Sequence, residues 1–260
     1  MNVQPSSKLN YVWRVVATGF CFLTFSCMGL AFRFLACPYV SLAARTQRER
    51  ELKARRIVRH SFAWFVRLMQ RTGILQWRVR GRERLHGGAQ LVCPSHPTLI
   101  DVVLTMSMID NANCIVKADL KRSFAMSSPI ATTGYIANDS GSELIEACAQ
   151  SLKAGDTLII FPEGTRTRPG KEPKLHHGAA ATALLAAMPI TPVVITCTPP
   201  SLMKGIPWYR IPPSKMSFEI DVLEPIDIEP FLQIERQHGR PIAVRRLTES
   251  LKSALFKNNH

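Results

Sequence analysis

Two short apolar runs, each stopping at a polar turn, constrain this chain more than anything else in it. Gln90-Leu91-Val92 leads into Cys93-Pro94-Ser95-His96-Pro97-Thr98-Leu99-Ile100-Asp101, and Thr157-Leu158-Ile159-Ile160 leads into Phe161-Pro162-Glu163-Gly164-Thr165-Arg166-Thr167. Short apolar runs bounded by turn residues fit strands buried on both faces. In an open α/β sheet, ligands sit just outside the carboxyl ends of the strands. Two such strands in one parallel sheet bring a His, an Asp and a Glu-Gly-Thr-Arg turn to the same edge.

The spacing from His96 to Asp101 limits how these side chains meet. At 3.6 residues per turn, five residues on one helix place them on different faces. They meet if His96 stays in the turn and the helix starts near Pro97 or Thr98, where a Pro suits the first helical position. Asp101 then reaches one ring nitrogen, fixes the tautomer and stabilises the imidazolium, and the other nitrogen is free to take a proton. Taken alone, such a pair is more often a surface His beside a first-turn Asp favoured by the helix dipole.

The rest of the chain alternates in the same way. Strands are expected over residues 75–79, 90–94, 114–117, 134–137, 157–161, 190–197 and 216–223, with helices after His96 to about Met108 and over 142–153, 178–188 and 242–256. Pro199-Pro200 closes the strand at 190–197, because neither residue donates to a ladder. Strands alternating with helices predict a single α/β sandwich domain, its mostly parallel twisted sheet flanked by helices.

Charge and hydropathy set the first third of the chain apart. Residues 15–32 carry no charge, and eighteen residues span about 27 Å as helix, close to the hydrocarbon thickness of about 30 Å. Arg33 and Pro38 interrupt the apolar stretch, leaving open one spanning helix or a helix lying partly in one leaflet. A signal peptide is disfavoured by the long apolar region and the lack of a clean small-residue cleavage site. Residues 45–80 hold eleven basic residues and two acids, and 45–72 read as a basic amphipathic helix lying on anionic headgroups. The competing reading is an ordinary helix packed on the domain. The expected division is therefore an anchor segment 1–44, an interfacial helix 45–72 and a catalytic domain 73–260. Residues 81–260 are nearly neutral, with nineteen basic and seventeen acidic residues and no recognisable nucleic-acid motif, so membrane lipid rather than nucleic acid is the expected partner. The seven cysteines form no CxxC pair and sit mostly among apolar residues, which fits reduced thiols and a cytoplasmic catalytic face on an inner or plasma membrane. The positive-inside rule gives the same side.

With both turns in view, the sequence resembles the glycerolipid acyltransferase family, which includes the lysophosphatidate acyltransferases. The resemblance rests on His96 to Asp101, Gly134-Tyr135-Ile136, the string Phe161 to Arg166, and Pro189-Ile190-Thr191-Pro192-Val193, and it covers roughly residues 75–225. It implies a membrane-bound O-acyltransferase moving a fatty acyl group from an acyl-carrier protein or coenzyme A thioester to the hydroxyl of a lyso-lipid. His96 would be the general base and Asp101 its orienting partner. Glu163, Gly164, Thr165, Arg166 and Gly134 would bind substrate. Because the thioester is already activated, no covalent nucleophile, cofactor or metal is required. The competing reading for Arg166 is an ion pair with Glu163 or Glu172. A non-catalytic lipid-binding protein on the same fold is the alternative from another class. The chain departs from the family where Asp139 and Ser140 stand near the usual Arg, and where Ser95 replaces the usual Asn. The acceptor therefore stays open between a lysophosphatidate-like lipid and a less anionic one, such as a lyso-aminolipid or an aryl polyene precursor.

Overall fold

Leu91, Val92 and Cys93 are all fully buried, yet Leu91 and Cys93 belong to one core and Val92 to the other. Leu158, Ile159 and Ile160 alternate likewise, which is the signature of central strands covered on both faces. The computed structural model describes residues 8–124, 126–138, 141–167, 173–212 and 214–256. Its strands are β1 (Leu75–Arg80), β2 (Gln90–Pro94), β3 (Ala112–Lys117), β4 (Ile136–Asn138), β5 (Thr157–Ile159), β6 (Ile190–Thr198) and β7 (Met216–Val222). They form one sheet in the order β1-β7-β6-β2-β5-β3-β4, and every neighbouring pair is parallel except β6 with β7. The fold is the expected α/β sandwich, with a mostly parallel sheet flanked by helices.

Each face is closed by helices. On one, Phe65, Val66 and Met69 of α3 (Gln47–Arg71) and Val103, Leu104 and Met106 of α4 (Asp101–Met106) pack over Val92 and Ile159. On the other, α6 (Gly141–Lys153), α7 (Gly178–Ala186) and α9 (Arg240–Phe256) cover Leu91 and Leu158. Ala179, Ala180 and Ala183 let α7 approach the sheet closely. A large aliphatic side chain fully buried here, such as Leu91, contributes about 1.5–3 kcal/mol.

Several boundaries differ from expectation. Helix α4 begins at Asp101, not near Pro97, because the preceding turn is closed by the Asp101 side chain itself. A helix not anticipated, α5 (Ser127–Thr133), ends at Gly134, which caps it at φ +67°, so β4 starts two residues later. A Cβ on Gly134 would lie 2.7 Å from the Glu51 carboxyl carbon. A second unanticipated helix, α8 (Glu229–His238), starts with Pro230 in its first turn.

The basic helix α3 is built into this unit. Arg55 is 3% exposed, and its guanidinium reaches Asp156 at 2.7 Å, the Asn111 side-chain oxygen at 2.9 Å and the Thr133 carbonyl at 2.8 Å. Arg48 also meets Asp156 at 2.6 Å. Part of the basic run is thus consumed by the domain's own carboxylates, and the expected boundary at residue 72 falls inside one packed unit. Exposed Arg56, His60, Trp64, Arg67 and Arg71 remain on the outer side of α3. Ahead of it run α1 (Lys8–Ala31), one π-helical turn (Phe32–Ala36) and α2 (Cys37–Ala43). These 36 residues are long and apolar enough to cross a membrane, an 18-residue stretch within them reaching a mean hydropathy of 1.9. They also touch the domain. Phe25 packs on Phe65 with ring centroids 5.3 Å apart, Phe22 on Trp208 at 5.1 Å, and the Arg33 guanidinium lies 4.3 Å over Phe124. Leu9, Val16, Phe20, Leu23, Leu35 and Leu42 remain exposed, an apolar surface of the kind that marks an interaction site.

Candidate active site

His96 leaves the sheet between two prolines, Pro94 at the end of β2 and Pro97 one residue on, neither able to donate to a ladder. Ser95 secures the exit. Its N–H donates to the Val193 carbonyl at 2.9 Å, and its buried hydroxyl accepts the Ile195 N–H at 2.9 Å. Ser95 therefore stitches β2 to β6, and its hydroxyl is occupied.

Asp101 turns its carboxylate back onto this exit. Oδ2 lies 3.0 Å from His96 Nδ1 and accepts the Thr98 N–H at 2.6 Å, while Oδ1 accepts the Thr98 hydroxyl at 2.5 Å. The Asp101 side chain is 0% exposed and that of His96 15%. Burial pushes the Asp101 carboxyl above the ordinary carboxylate range, and its hydrogen bonds from His96 and Thr98 pull against that shift. An ionised carboxylate offers only acceptors, so the neutral imidazole it meets carries its proton on Nδ1. The Nε2 lone pair is left for chemistry. Expectation and structure agree that the two side chains meet.

The second turn is knotted to the first. Glu163 Oε1 accepts the His96 N–H at 2.6 Å, Oε2 accepts the Thr167 hydroxyl, and the Thr167 N–H donates to the His96 carbonyl at 3.2 Å. Burial pushes the Glu163 carboxyl up, against the hydrogen bond from His96. The Phe161 ring packs 4.5 Å from the imidazole. Gly164 sits at φ +65°, where a Cβ would lie 2.9 Å from the His176 ring, so only glycine suits the bend. Arg166 donates to the Leu202 carbonyl at 3.1 Å, and the same carbonyl accepts the Leu99 N–H at 3.0 Å. Glu163 is thus engaged with His96 and Thr167, and Glu172 lies outside the described residues.

Other candidates fall away or apart. The buried Cys93 thiol is pushed far up by burial, and burial likewise pushes Cys197 up to about 12, so neither is a thiolate nucleophile. Gly134 is not brought to His96. It precedes β4, at the amino end of that strand, whereas His96 and Glu163 follow the carboxyl ends of β2 and β5. It lines a cavity of about 700 Å³ with Tyr135, Lys121 and Glu143. Asp139 and Ser140, where the sequence departs from the family, lie outside the described residues.

The sequence profile of the acyltransferase family matches residues 76–196, a segment that holds both turns. Over this segment, a little under half of its length, the chain is similar to the acyltransferase family. A Caenorhabditis elegans protein provisionally named 1-acyl-sn-glycerol-3-phosphate acyltransferase acl-2 is 30% identical over 149 residues, 53% of this chain and 50% of that one. The 1-acyl-sn-glycerol-3-phosphate acyltransferase of Pseudomonas aeruginosa strain PAO1 is 25% identical over 136 residues, 50% of this chain and 52% of its own. The chain thus spans about half the length of the curated relatives it matches. The crystal structure of the 1-acyl-sn-glycerophosphate acyltransferase PlsC from Thermotoga maritima shares the fold, with a TM-score of 0.66 at 19% identity over 96% of this chain and 98% of that one.

Two participants in this candidate site escaped sequence reasoning. Thr98 stands three residues before Asp101, a Thr-x-x-Asp pattern that resembles a capping box and signals the reciprocal bond found here. Lys204 donates to the Thr165 hydroxyl at 2.9 Å. It lies beyond the matched segment, and no local pattern marks it.

Proposed function

We propose that this protein is a membrane-bound O-acyltransferase that moves a fatty acyl group from an acyl-carrier protein or coenzyme A thioester to the hydroxyl of a lysophosphatidate-like lipid. The observation that carries the reading is the His96–Asp101–Thr98 constellation, bonded through Glu163 to the second turn at one sheet edge. The activities named for the curated relatives support the same reaction class.

In this mechanism His96 Nε2 takes the proton of the acceptor hydroxyl as its oxygen attacks the thioester carbonyl carbon. The imidazolium that forms is stabilised by Asp101. Collapse of the tetrahedral intermediate breaks the C–S bond, and the imidazolium returns its proton to the departing thiolate. The ester and the free thiol are the products. Arg166, with a fork of donors suited to phosphate, holds the anionic part of the substrate. The thioester supplies the activation, so the chemistry calls for no cofactor. The exposed apolar side of α1 and α2 and the arginines on α3 would seat the protein on an anionic inner or plasma membrane leaflet, with the catalytic edge on the cytoplasmic face.

The test is acyl transfer by the full-length protein in detergent micelles, followed by thiol release and by mass spectrometry of the lipid. Wild type is expected to make the acylated lipid, and His96→Ala to lose about 10²–10⁴-fold in kcat while keeping its melting temperature. More than a tenth of normal kcat in His96→Ala excludes the general base. A bound lipid without turnover in wild type favours the non-catalytic alternative.

A further inference from the structure

The partly buried arginines that hold the scaffold together are paired with carboxylates. Arg48 and Arg55 meet Asp156, and Arg59 meets Asp110. Two cations at the catalytic edge are not. Among the described residues, Arg166 bonds the Leu202 carbonyl and Lys204 the Thr165 hydroxyl, and neither meets a carboxylate. Both partners are neutral, so among the described residues no carboxylate offsets either cation, and each has further donors, since an ammonium has three and a guanidinium five.

Their position is set by the same contacts. Thr165 sits midway between Glu163 and Thr167, the two residues that bond the His96 backbone. Leu202, two residues before Lys204, bonds both Arg166 and Leu99. Lys204 is therefore delivered by a segment outside the family match to the turn that borders the general base. The charges nearest His96 are the buried carboxylates Asp101 and Glu163. An anionic acceptor needs positive charge on the open side of the turn to offset them, and the Lys204–Thr165 contact is an exposed one.

We infer that Lys204 is a second cation of the acceptor site, which with Arg166 binds a phosphomonoester head group and selects a phosphate-bearing lyso-lipid over a neutral one. This rests on the acyl-transfer reading and commits its lysophosphatidate-like acceptor to a phosphomonoester head group. A phosphomonoester carries about −1.5 to −2 charges at neutral pH, which matches two cations better than one. Lys204 would act as a compact point charge beside the bidentate fork of Arg166.

The experiment compares wild type with Lys204→Gln and Lys204→Arg, using the full chain in detergent micelles. Turnover is measured with lysophosphatidate and with a monoacylglycerol of the same chain length. Equilibrium binding of lysophosphatidate is measured separately on each variant in a His96→Ala background. Lys204→Gln keeps a donor for Thr165 but no charge. It is expected to raise the lysophosphatidate KM and dissociation constant at least tenfold, with kcat changed less than about threefold, and to lower the preference for lysophosphatidate over monoacylglycerol at least tenfold. Lys204→Arg is expected to restore binding to within about threefold. The melting temperature of both variants is expected to stay within about 2 °C of wild type. Unchanged binding in Lys204→Gln overturns the inference. So does a loss that Lys204→Arg fails to rescue and that comes with a lowered melting temperature, because that pattern belongs to a brace for the turn. If wild type binds lysophosphatidate through Lys204 but transfers no acyl group to any acceptor, the acyl-transfer reading falls and the anion site stands. If wild type acylates both acceptors alike whatever stands at position 204, the anion site falls and the reading stands.

Discussion

Replacing Asp101 by Asn separates the charge of that residue from its geometry. In wild type, Oδ2 accepts from both His96 Nδ1 and the Thr98 N–H, and Oδ1 accepts the Thr98 hydroxyl. In Asp101→Asn the Thr98 N–H holds the amide oxygen where Oδ2 was, so the imidazole keeps its Nδ1 proton. The amide NH₂ then donates to the Thr98 hydroxyl, which can accept. Only the ionic attraction is lost. Nδ1 and Oδ2 lie 3.0 Å apart, and charges spread over both groups act at about 4 Å, worth about 4 kcal/mol at an effective dielectric near 20. If the imidazolium is about half formed at the transition state, about 2 kcal/mol is lost. If it is fully formed, all of it is. At about 1.4 kcal/mol per tenfold, kcat should fall between about 30-fold and 10³-fold. Thiol release in single-turnover mode keeps product release from masking the step. Stability should move the other way. A carboxyl raised by burial stabilises the fold fully below the ordinary carboxylate range, and loses that contribution as pH rises through its folded value. Asn escapes this loss, so at pH 8 the variant should unfold at an equal or higher temperature than wild type. A kcat within threefold of wild type refutes the ion-pair argument. A large kcat loss accompanied by a lower melting temperature shows that Asp101 holds the turn rather than the charge of His96.

Glu163→Gln keeps an acceptor for the His96 N–H and a donor for Thr167, and removes a carboxylate raised by burial. Its stability advantage over wild type should be absent in acid and grow as pH rises past the folded value of Glu163, as read from thermal unfolding at pH 4 and pH 8. Because Glu163 touches the His96 backbone and not its ring, kcat should fall less than tenfold. Arg55→Ala removes one of the two arginines that meet buried Asp156, leaving Arg48, Ser151 and Asn111 on it, and should cost about 1.5–3 kcal/mol, or roughly 3–12 °C in melting temperature. Burial raises the Asp156 carboxyl, but Ser151, Arg55, Arg48 and Asn111 together hold it below the ordinary range. The stability wild type draws from it should be full at neutral pH and lost on acidification, so the gap between wild type and Arg55→Ala should narrow in acid.

Legibility followed the range of the physics. The strands β2 and β5 and the turns after them were readable because burial on both faces, proline and glycine all act within a few residues. The meeting of His96 and Asp101 was readable for the same reason, although the start of α4 was misplaced by the unrecognised bond from Thr98. Long-range pairing was not readable. Arg55 looks like any residue of a basic amphipathic helix until Asp156, beside β5 in the fold, claims it. Gly134 carries a motif glycine's look, but its conformation serves the end of α5 and the close approach of Glu51. Lys204 has no local signature at all, because its meaning depends on Thr165 arriving beside it.

The segment that carries Lys204 also links the proposed acceptor site to the apolar helix. Arg14 and Thr18 of α1 line one small cavity with Ser201 and Leu202, and Trp208 packs on Phe22 and against Gly19. Leu202 in turn holds Arg166 and Leu99. Leu99 is 43% exposed between His96 and Asp101 in sequence. A lyso-lipid has a charged head and an apolar tail, so its site must offer cations and apolar surface side by side. Here one segment, residues 201–210, provides the second cation and is packed along the helix that offers the apolar surface. A displacement of α1 against the domain would be transmitted first to Trp208, then to the carbonyl that holds Arg166. The packing of α1 is thus a condition for the geometry of the anion site, and the two cannot be treated as an anchor and an independent enzyme.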